Sequence, residues 1–249
     1  MHRLAIYGKG GIGKSTTTAN LAASLSDMGL KVMQVGCDPK ADSTQLLMHG
    51  VKIPTVLDQI KTKGDDVRLE DIAFSGYGGV VCVESGGPTP GIGCAGRGII
   101  TAFNKLEELD AYGQFNPDVV LYDVLGDVVC GGFAMPIRDG YADEVMIVTS
   151  GEKMSLFAAR NIIIAIDNFK SRGYAALAGL IVNERNVKDE ARIVSSFAEE
   201  ADTVILQTIP RSETVHRAED LERTVIEAFP DSDQAGKYRE LARIVAGRL

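Results

Sequence analysis

The chain has 249 residues, 45% hydrophobic and 24% charged, with a formal net charge of −8. That length suits a single large α/β domain, and the acidic balance (pI about 5.0) argues against general nucleic-acid binding, which requires a basic face. No apolar run approaches the roughly 18 residues of a membrane span, the start Met1-His2-Arg3 leads directly into an apolar run, and Cys37, Cys82, Cys94 and Cys130 make no disulfide framework, so a cytoplasmic protein off the membrane is expected.

Residues 3–7 read as an apolar strand and residues 14–28 as a helix. Between them runs Gly8-Lys9-Gly10-Gly11-Ile12-Gly13-Lys14-Ser15, followed by Thr16. Glycines at these positions let backbone N–H groups turn inward around an oxyanion. Lys14 then reaches the terminal phosphates, Ser15 offers its hydroxyl to Mg2+, and the helix N-terminus adds about half a positive charge. Gly8, Gly10 and Gly13 also satisfy the dinucleotide pattern, with Asp38 placed roughly where a ribose-binding acid would sit. Lys14-Ser15 decides for a nucleoside triphosphate, because a dinucleotide loop has no use for that pair.

A second strand, 31–37, runs into Asp38-Pro39-Lys40-Ala41-Asp42-Ser43. In a parallel sheet this places Asp38 and Asp42 on the carboxyl edge beside the phosphate loop, where two carboxylates meet Mg2+ or its waters. After a strand at 79–83 comes a glycine-rich stretch, 85–98, containing Cys94 and feeding a helix at 98–109. Long loops of that kind are commonly functional. The run Val119-Val120-Leu121-Tyr122-Asp123 is an apolar strand ending in an acid, the arrangement that holds a nucleotide's metal. Immediately after it, Val124-Leu125-Gly126-Asp127-Val128-Val129-Cys130-Gly131-Gly132 offers Asp127 to order an attacking water, with glycines that let the segment move.

Strands at 144–149, 178–183 and 203–207 then alternate with helices at 155–171, 190–200 and 234–245. Near-continuous apolar strands alternating with helices argue a mostly parallel sheet covered by helices on both faces, and with the phosphate loop this makes an α/β P-loop NTPase the expected fold. No linker or repeat divides residues 1–249. The two cysteines in apolar strands, Cys37 and Cys82, read as core residues. Cys94 and Cys130 lie in Gly-rich loops, and two thiolates cannot close a four-cysteine cluster site. Two copies of the chain, donating two each across a two-fold axis, can; structural thiols are the alternative.

Four blocks together, residues 8–15, 36–43, 93–98 and 122–138, resemble the nitrogenase iron protein (dinitrogenase reductase) and its nitrogenase-like relatives. The similarity runs from the first strand to about Val245. It implies a homodimer with one [4Fe–4S] cluster bridging the subunits, held by Cys94 and Cys130 of each. It also implies MgATP-dependent transfer of single electrons to a separate catalytic nitrogenase-like metalloprotein, with a ferredoxin or flavodoxin as low-potential donor. Under the resemblance Lys9 reaches the phosphates bound in the other subunit. The segment from Asp38 through Lys40 to Asp42 is the first switch, and 123–130 is the second, with Asp127 orienting water. Asn183, Pro210 and Arg211 match adenine-contacting positions, and Arg97 matches a surface arginine beside the cluster that some members have modified. Residues 52–58 resemble the nitrogenase-like reductases at least as well as the nitrogen-fixing ones, whereas 133–138 and 150–152 lean toward the nitrogenase branch. The sequence ends at Leu249 without the extra C-terminal segment that wraps the partner subunit in typical members.

A positioning or partitioning ATPase of the same deviant phosphate-loop class is the competing reading. For it, the basic and apolar residues of 237–245 would lie on a membrane, where the ordinary expectation is a helix packed on the sheet. Cys94 and Cys130 discriminate, since partitioning ATPases hold no cluster.

Overall fold

The computed structural model describes residues 1–87, 95–126, 136–137, 140–170 and 174–249. Among the described residues eight strands, β1 (His2–Gly8), β2 (Val32–Gly36), β3 (Phe74–Ser75), β4 (Val81–Glu84), β5 (Val119–Asp123), β6 (Glu144–Thr149), β7 (Ala176–Asn183) and β8 (Ile205–Ile209), form one sheet in the order β3-β4-β2-β5-β1-β6-β7-β8. Every pairing is parallel except β3 with β4, a short antiparallel edge. The helices are α1 (Lys14–Asp27), α2 (Val56–Lys63), α3 (Ala95–Glu108), α4 (Ala111–Phe115), α5 (Lys153–Lys170), α6 (Glu190–Glu200), α7 (Glu213–Asp220), α8 (Val225–Ala228) and α9 (Asp233–Ala246).

The central strands are buried on both faces, which is why they read as continuous apolar runs instead of alternating ones. Along β5, Val120 and Tyr122 join a core that contains Phe103 of α3 and Ile162 of α5. Val119 and Leu121 join the opposite core, which contains Leu21 and Leu25 of α1 and Leu241 and Val245 of α9. Helices therefore cover both faces, as the alternation of elements requires. Cys37 and Cys82 are fully buried in these two cores. Burial pushes the Cys82 thiol up to about 12 and the Cys37 thiol higher still, so both stay neutral and unreactive.

The apolar stripe of α9, Tyr238, Leu241, Ala242 and Val245, is buried against α1 and β8. The packed-helix expectation for 237–245 holds, and that stripe has no face left for a membrane. Among the described residues no helix is long and apolar enough to cross one.

β8 starts two residues later than the sequence pattern suggests. It is a half-exposed edge strand, so its hydrophobic signal is diluted. The sequence reading lacked strand β3 and helices α2, α4, α7 and α8, which are short. Three of these helices are started by a side-chain cap: Thr55 accepts from Asp58 N, Ser212 from Thr214 N and Thr224 from Glu227 N.

Candidate nucleotide site

Because seven consecutive strands of the sheet, β4 to β8 in sheet order, run parallel, their carboxyl ends emerge along one edge. Asp123 at the end of β5 sits opposite Ile6 on one side and Gly36 on the other. Gly8 at the end of β1 lies opposite Val148, and Asn183 at the end of β7 lies opposite Ile209. The register alone thus brings the phosphate loop, the 38–43 segment and the ends of β7 and β8 to one place, the usual position of a ligand in an open α/β sheet.

Gly13 caps α1 in the left-handed region (φ 88°, ψ 21°) and offers no side-chain cap, so the first-turn N–H groups of α1 stay available to an anion. A Cβ at Gly13 would fall 2.8 Å from Asn183 Nδ2, a second reason for glycine there. At Gly126 a Cβ would fall 2.0 Å from the carbonyl oxygen of Gly8, so the chain leaving β5 runs directly against the start of the phosphate loop.

The phosphate end of the site is a buried hydrogen-bonded chain. Lys14 is 7% exposed, and its ammonium is ion-paired with the fully buried carboxylate of Asp123. Lys14 Nζ also lies 3.5 Å from Ser15 Oγ. The other Asp123 oxygen accepts from Ser43 Oγ at 2.6 Å, and Gln34 Nε2 donates to both the carbonyl (2.9 Å) and hydroxyl (3.0 Å) oxygens of Ser43. The next residue, Thr44, donates its N–H and its hydroxyl to Glu84 Oε1, both at 2.7 Å. Burial pushes the Glu84 carboxyl up to about 7, opposed by these two bonds and reinforced by the charges of Asp123 and Asp42. Asp38 closes its own turn, accepting from Lys40 N at 2.9 Å. Lys9, Lys40 and Asp42 are exposed.

The other end is built on β7 and α9. Asn183 Nδ2 donates to Ile12 O and Thr17 Oγ1, each at 3.1 Å, while its Oδ1 is buried without a partner. Gln234, at the start of α9, leaves its buried Nε2 unpartnered. Arg185 Nη2 donates to Gly11 O at 2.7 Å. Its backbone is held by the Glu190 carboxylate, which accepts from Arg185 N, Val187 N and Gly151 N. Asn183, Arg185 and Gln234, with Pro210 and Arg211, line a cleft of about 480 Å3. That volume lies inside the ordinary range for a small-molecule site.

Lys9 through Thr16, Asp38, Lys40, Asp42, Asn183, Pro210 and Arg211 all line this cleft. Gly8 ends β1 beneath the loop, and Asp123 connects to it through Lys14. Asp127, Cys94 and Cys130 lie outside the described residues, and Arg97 falls within α3. The sequence reading missed Arg185, Glu190, Glu84 and Gln234. The first sits two residues past a strand end already singled out, so the carboxyl-edge rule would have found it. The others carry no local signal, because their positions depend on how distant elements pack.

A phosphate loop at the carboxyl edge of a mostly parallel sheet, with a buried lysine and a strand-end aspartate, defines a P-loop ATPase fold. Solved structures agree. The cell-division ATPase MinD of Pyrococcus furiosus is 20% identical, covering 100% of this chain and 99% of that one with a TM-score of 0.76. A ParA family ATPase from Chlorobium tepidum is 18% identical over 97% of each chain, with a TM-score of 0.75. At such identities the likeness carries the fold alone.

Sequence comparison goes further. The family model described as 4Fe-4S iron sulfur cluster binding proteins, NifH/frxC family, matches residues 2–248, and the chain belongs to that family. The chain is 56% identical to a nitrogenase iron protein of Methanospirillum hungatei over 97% of its own length and 86% of the relative's. Its cofactors are accordingly a [4Fe–4S] cluster and MgATP. The cleft fits the nucleotide: uncapped N–H groups, a lysine and a serine hydroxyl meet phosphate and metal, and two orphaned amide groups await a base.

Proposed function

We propose that this chain is the ATP-driven electron donor of a nitrogenase or nitrogenase-like system, working in the cytoplasm as a homodimer. Residues 1–249 act as one nucleotide-binding unit. Cys94 and Cys130 of each subunit hold one [4Fe–4S] cluster between them, and the cluster supplies a one-electron redox centre. A ferredoxin or flavodoxin loads it, and a separate catalytic metalloprotein accepts the electron; Arg97 lies on the face that meets that partner or is modified. The family membership, together with two cysteines in Gly-rich loops, separates this reading from a partitioning ATPase.

The observation that carries the nucleotide half is the Lys14–Asp123–Ser43 chain. Lys14 would exchange its ion pair with Asp123 for a bound triphosphate, and Asp123, with Ser15 and Asp42, would then be available to hold the Mg2+ and its waters. The Ser43 hydroxyl, bonded to the same carboxylate, would change partner with it. One substitution of partners therefore passes the presence of phosphate into the 38–44 segment and into the chain leaving β5. Asp38 and Asp127 position the attacking water, and Lys9 of the opposite subunit neutralises transition-state charge. Asn183 Oδ1 as acceptor and Gln234 Nε2 as donor, both unpartnered, would bind the polar edge of the adenine, and Pro210 and Arg211 line the same part of the cleft. From Asp123 to Cys130 is seven residue steps, so the two sites lie no more than ~25 Å apart along that segment.

The test is iron analysis of anaerobically purified protein and of three single variants. About four irons per dimer are expected in the parent. Cys94→Ser and Cys130→Ser should each abolish the iron, whereas Cys82→Ser, a core position, should keep it. Iron retained in either of the first two would overturn the ligand assignment.

A further inference from the structure

We infer that Glu84 is a positioning residue that ties the 38–44 segment to the chain leading to Cys94, giving the nucleotide a second mechanical route to the cluster. This inference rests on the reading of the chain as a nucleotide-switched cluster protein. Glu84 is the last residue of β4 and is fully buried. Asp123, Gly36 and Glu84 form one row across β5, β2 and β4. A single oxygen, Oε1, accepts both donors of Thr44, while Oε2 has no partner. Thr44 follows Ser43, which is bonded to Asp123, the partner of Lys14. The hydrogen-bonded chain from the phosphate-binding lysine therefore ends on a β4 side chain.

The backbone beyond Glu84 is held on the same side. Ser85 N donates to Gly36 O at 2.8 Å. Gly87 lies against the 38–44 segment so closely that a Cβ there would fall 2.4 Å from Pro39 Cβ. The strand-to-loop exit is thus gripped at Thr44 and again at Pro39, and Cys94 follows Gly87 by seven positions in the sequence.

A carboxylate is a costly choice for an inert pin. A buried acid with one oxygen unsatisfied is tolerated where the polar contact specifies an arrangement, and an amide or hydroxyl would hold Thr44 with less desolvation. The buried N–H of Thr44 cannot leave Oε1 without losing its only acceptor there, so Thr44 and the end of β4 move together or not at all. When Lys14 releases Asp123 and Ser43 shifts, one impulse travels along β5 toward Cys130 and another through Thr44 and Glu84 toward Cys94.

The test uses the cluster-loaded dimer under anaerobic conditions, with 2,2′-bipyridyl as iron chelator and saturating MgATP. Four proteins are compared: the parent, Glu84→Ala, Glu84→Gln and Thr44→Val. Iron content, MgATP affinity and the ratio of chelation rates with and without MgATP are measured for each. Glu84→Ala should bind MgATP within a few-fold of the parent yet lose at least about fivefold of the MgATP-dependent acceleration, the scale of an ordinary coupling between sites. Thr44→Val should lose part of it, and Glu84→Gln, whose amide oxygen still accepts both Thr44 donors, should restore it. A purely structural role would lower iron content or thermal midpoint and leave the ratio intact. If Glu84→Ala fails to load a cluster, Thr44→Val decides alone. Full acceleration in the variants beside a responsive parent overturns the role of Glu84 only. A parent with iron but no response to MgATP overturns the switch reading, and this inference with it.

Discussion

Replacing Glu84 by Gln tests whether the buried carboxyl is held neutral. Burial raises it from about 4.5 to about 7. Over that interval the unfolded chain has released the proton and the folded chain still binds it. The native state therefore binds more protons, and stability falls as pH rises through the folded value. A displacement of that size is worth roughly 3 kcal/mol in full, at about 1.36 kcal/mol per pH unit. With a pI of about 5.0, solubility favours starting at pH 6. Between pH 6 and pH 8.5 the parent should lose roughly 1 kcal/mol relative to Glu84→Gln, which keeps the acceptor for Thr44 and does not titrate. Urea unfolding of both nucleotide-free proteins at the two pH values, at matched ionic strength, measures the difference through the shift in midpoint at constant slope. Parallel pH dependence in the two proteins would refute the argument, since it would mean that the carboxyl ionises as freely in the fold as outside it.

Lys14→Ala should abolish measurable MgATP binding in calorimetry. Because it leaves the buried Asp123 carboxylate without its cation, it should also lower nucleotide-free stability by about 3 kcal/mol; the double variant Lys14→Ala with Asp123→Ala should recover much of that loss in urea unfolding. Lys9→Ala should bind MgATP normally but hydrolyse it roughly 10³-fold more slowly in the complex with the catalytic partner, as expected for a cation acting across the interface; unchanged turnover would remove that role. Gln234→Leu should weaken MgATP roughly tenfold, the worth of about one well-formed hydrogen bond, and should weaken a purine triphosphate lacking the matching acceptor far less.

The fold was readable because its strands are buried on both faces and its helices are long. β5, β6 and α6 fall where apolar continuity and helical periodicity put them. Short elements such as α7, a polar helix with one buried residue, carry no such pattern and exist because Ser212 caps them and neighbours cover them. In the site, residues within the phosphate loop and at strand ends were legible from chain order and parallel pairing alone. Lys14 shows the limit. Its role toward phosphate follows from the motif, but its burial in an ion pair with a residue 109 positions away does not. Glu84 and Gln234 are further cases, since their function depends on which distant donors or cavities they reach. The roles assigned to Asp127, Cys94 and Cys130 rest on sequence and family membership, since all three lie outside the described residues.

The side chain of Asn20 has a consequence for how the site divides its labour. Fully buried in α1, it accepts from Val225 N and Ile226 N and so suspends α8, and through it α9, from the phosphate-binding helix. Arg185 and Asn183 clasp the same loop from β7. The β7 and α9 wall of the cleft is thus tied by hydrogen bonds and packing to the phosphate loop and α1. Under the proposed role, the response to the terminal phosphate is expected on the opposite flank, where β2, β4 and β5 end and where the polar chain from Lys14 to Glu84 runs. One half of the cleft is an anvil of cross-braced elements, and the other half carries the contacts that a change of partner at Lys14 would rearrange.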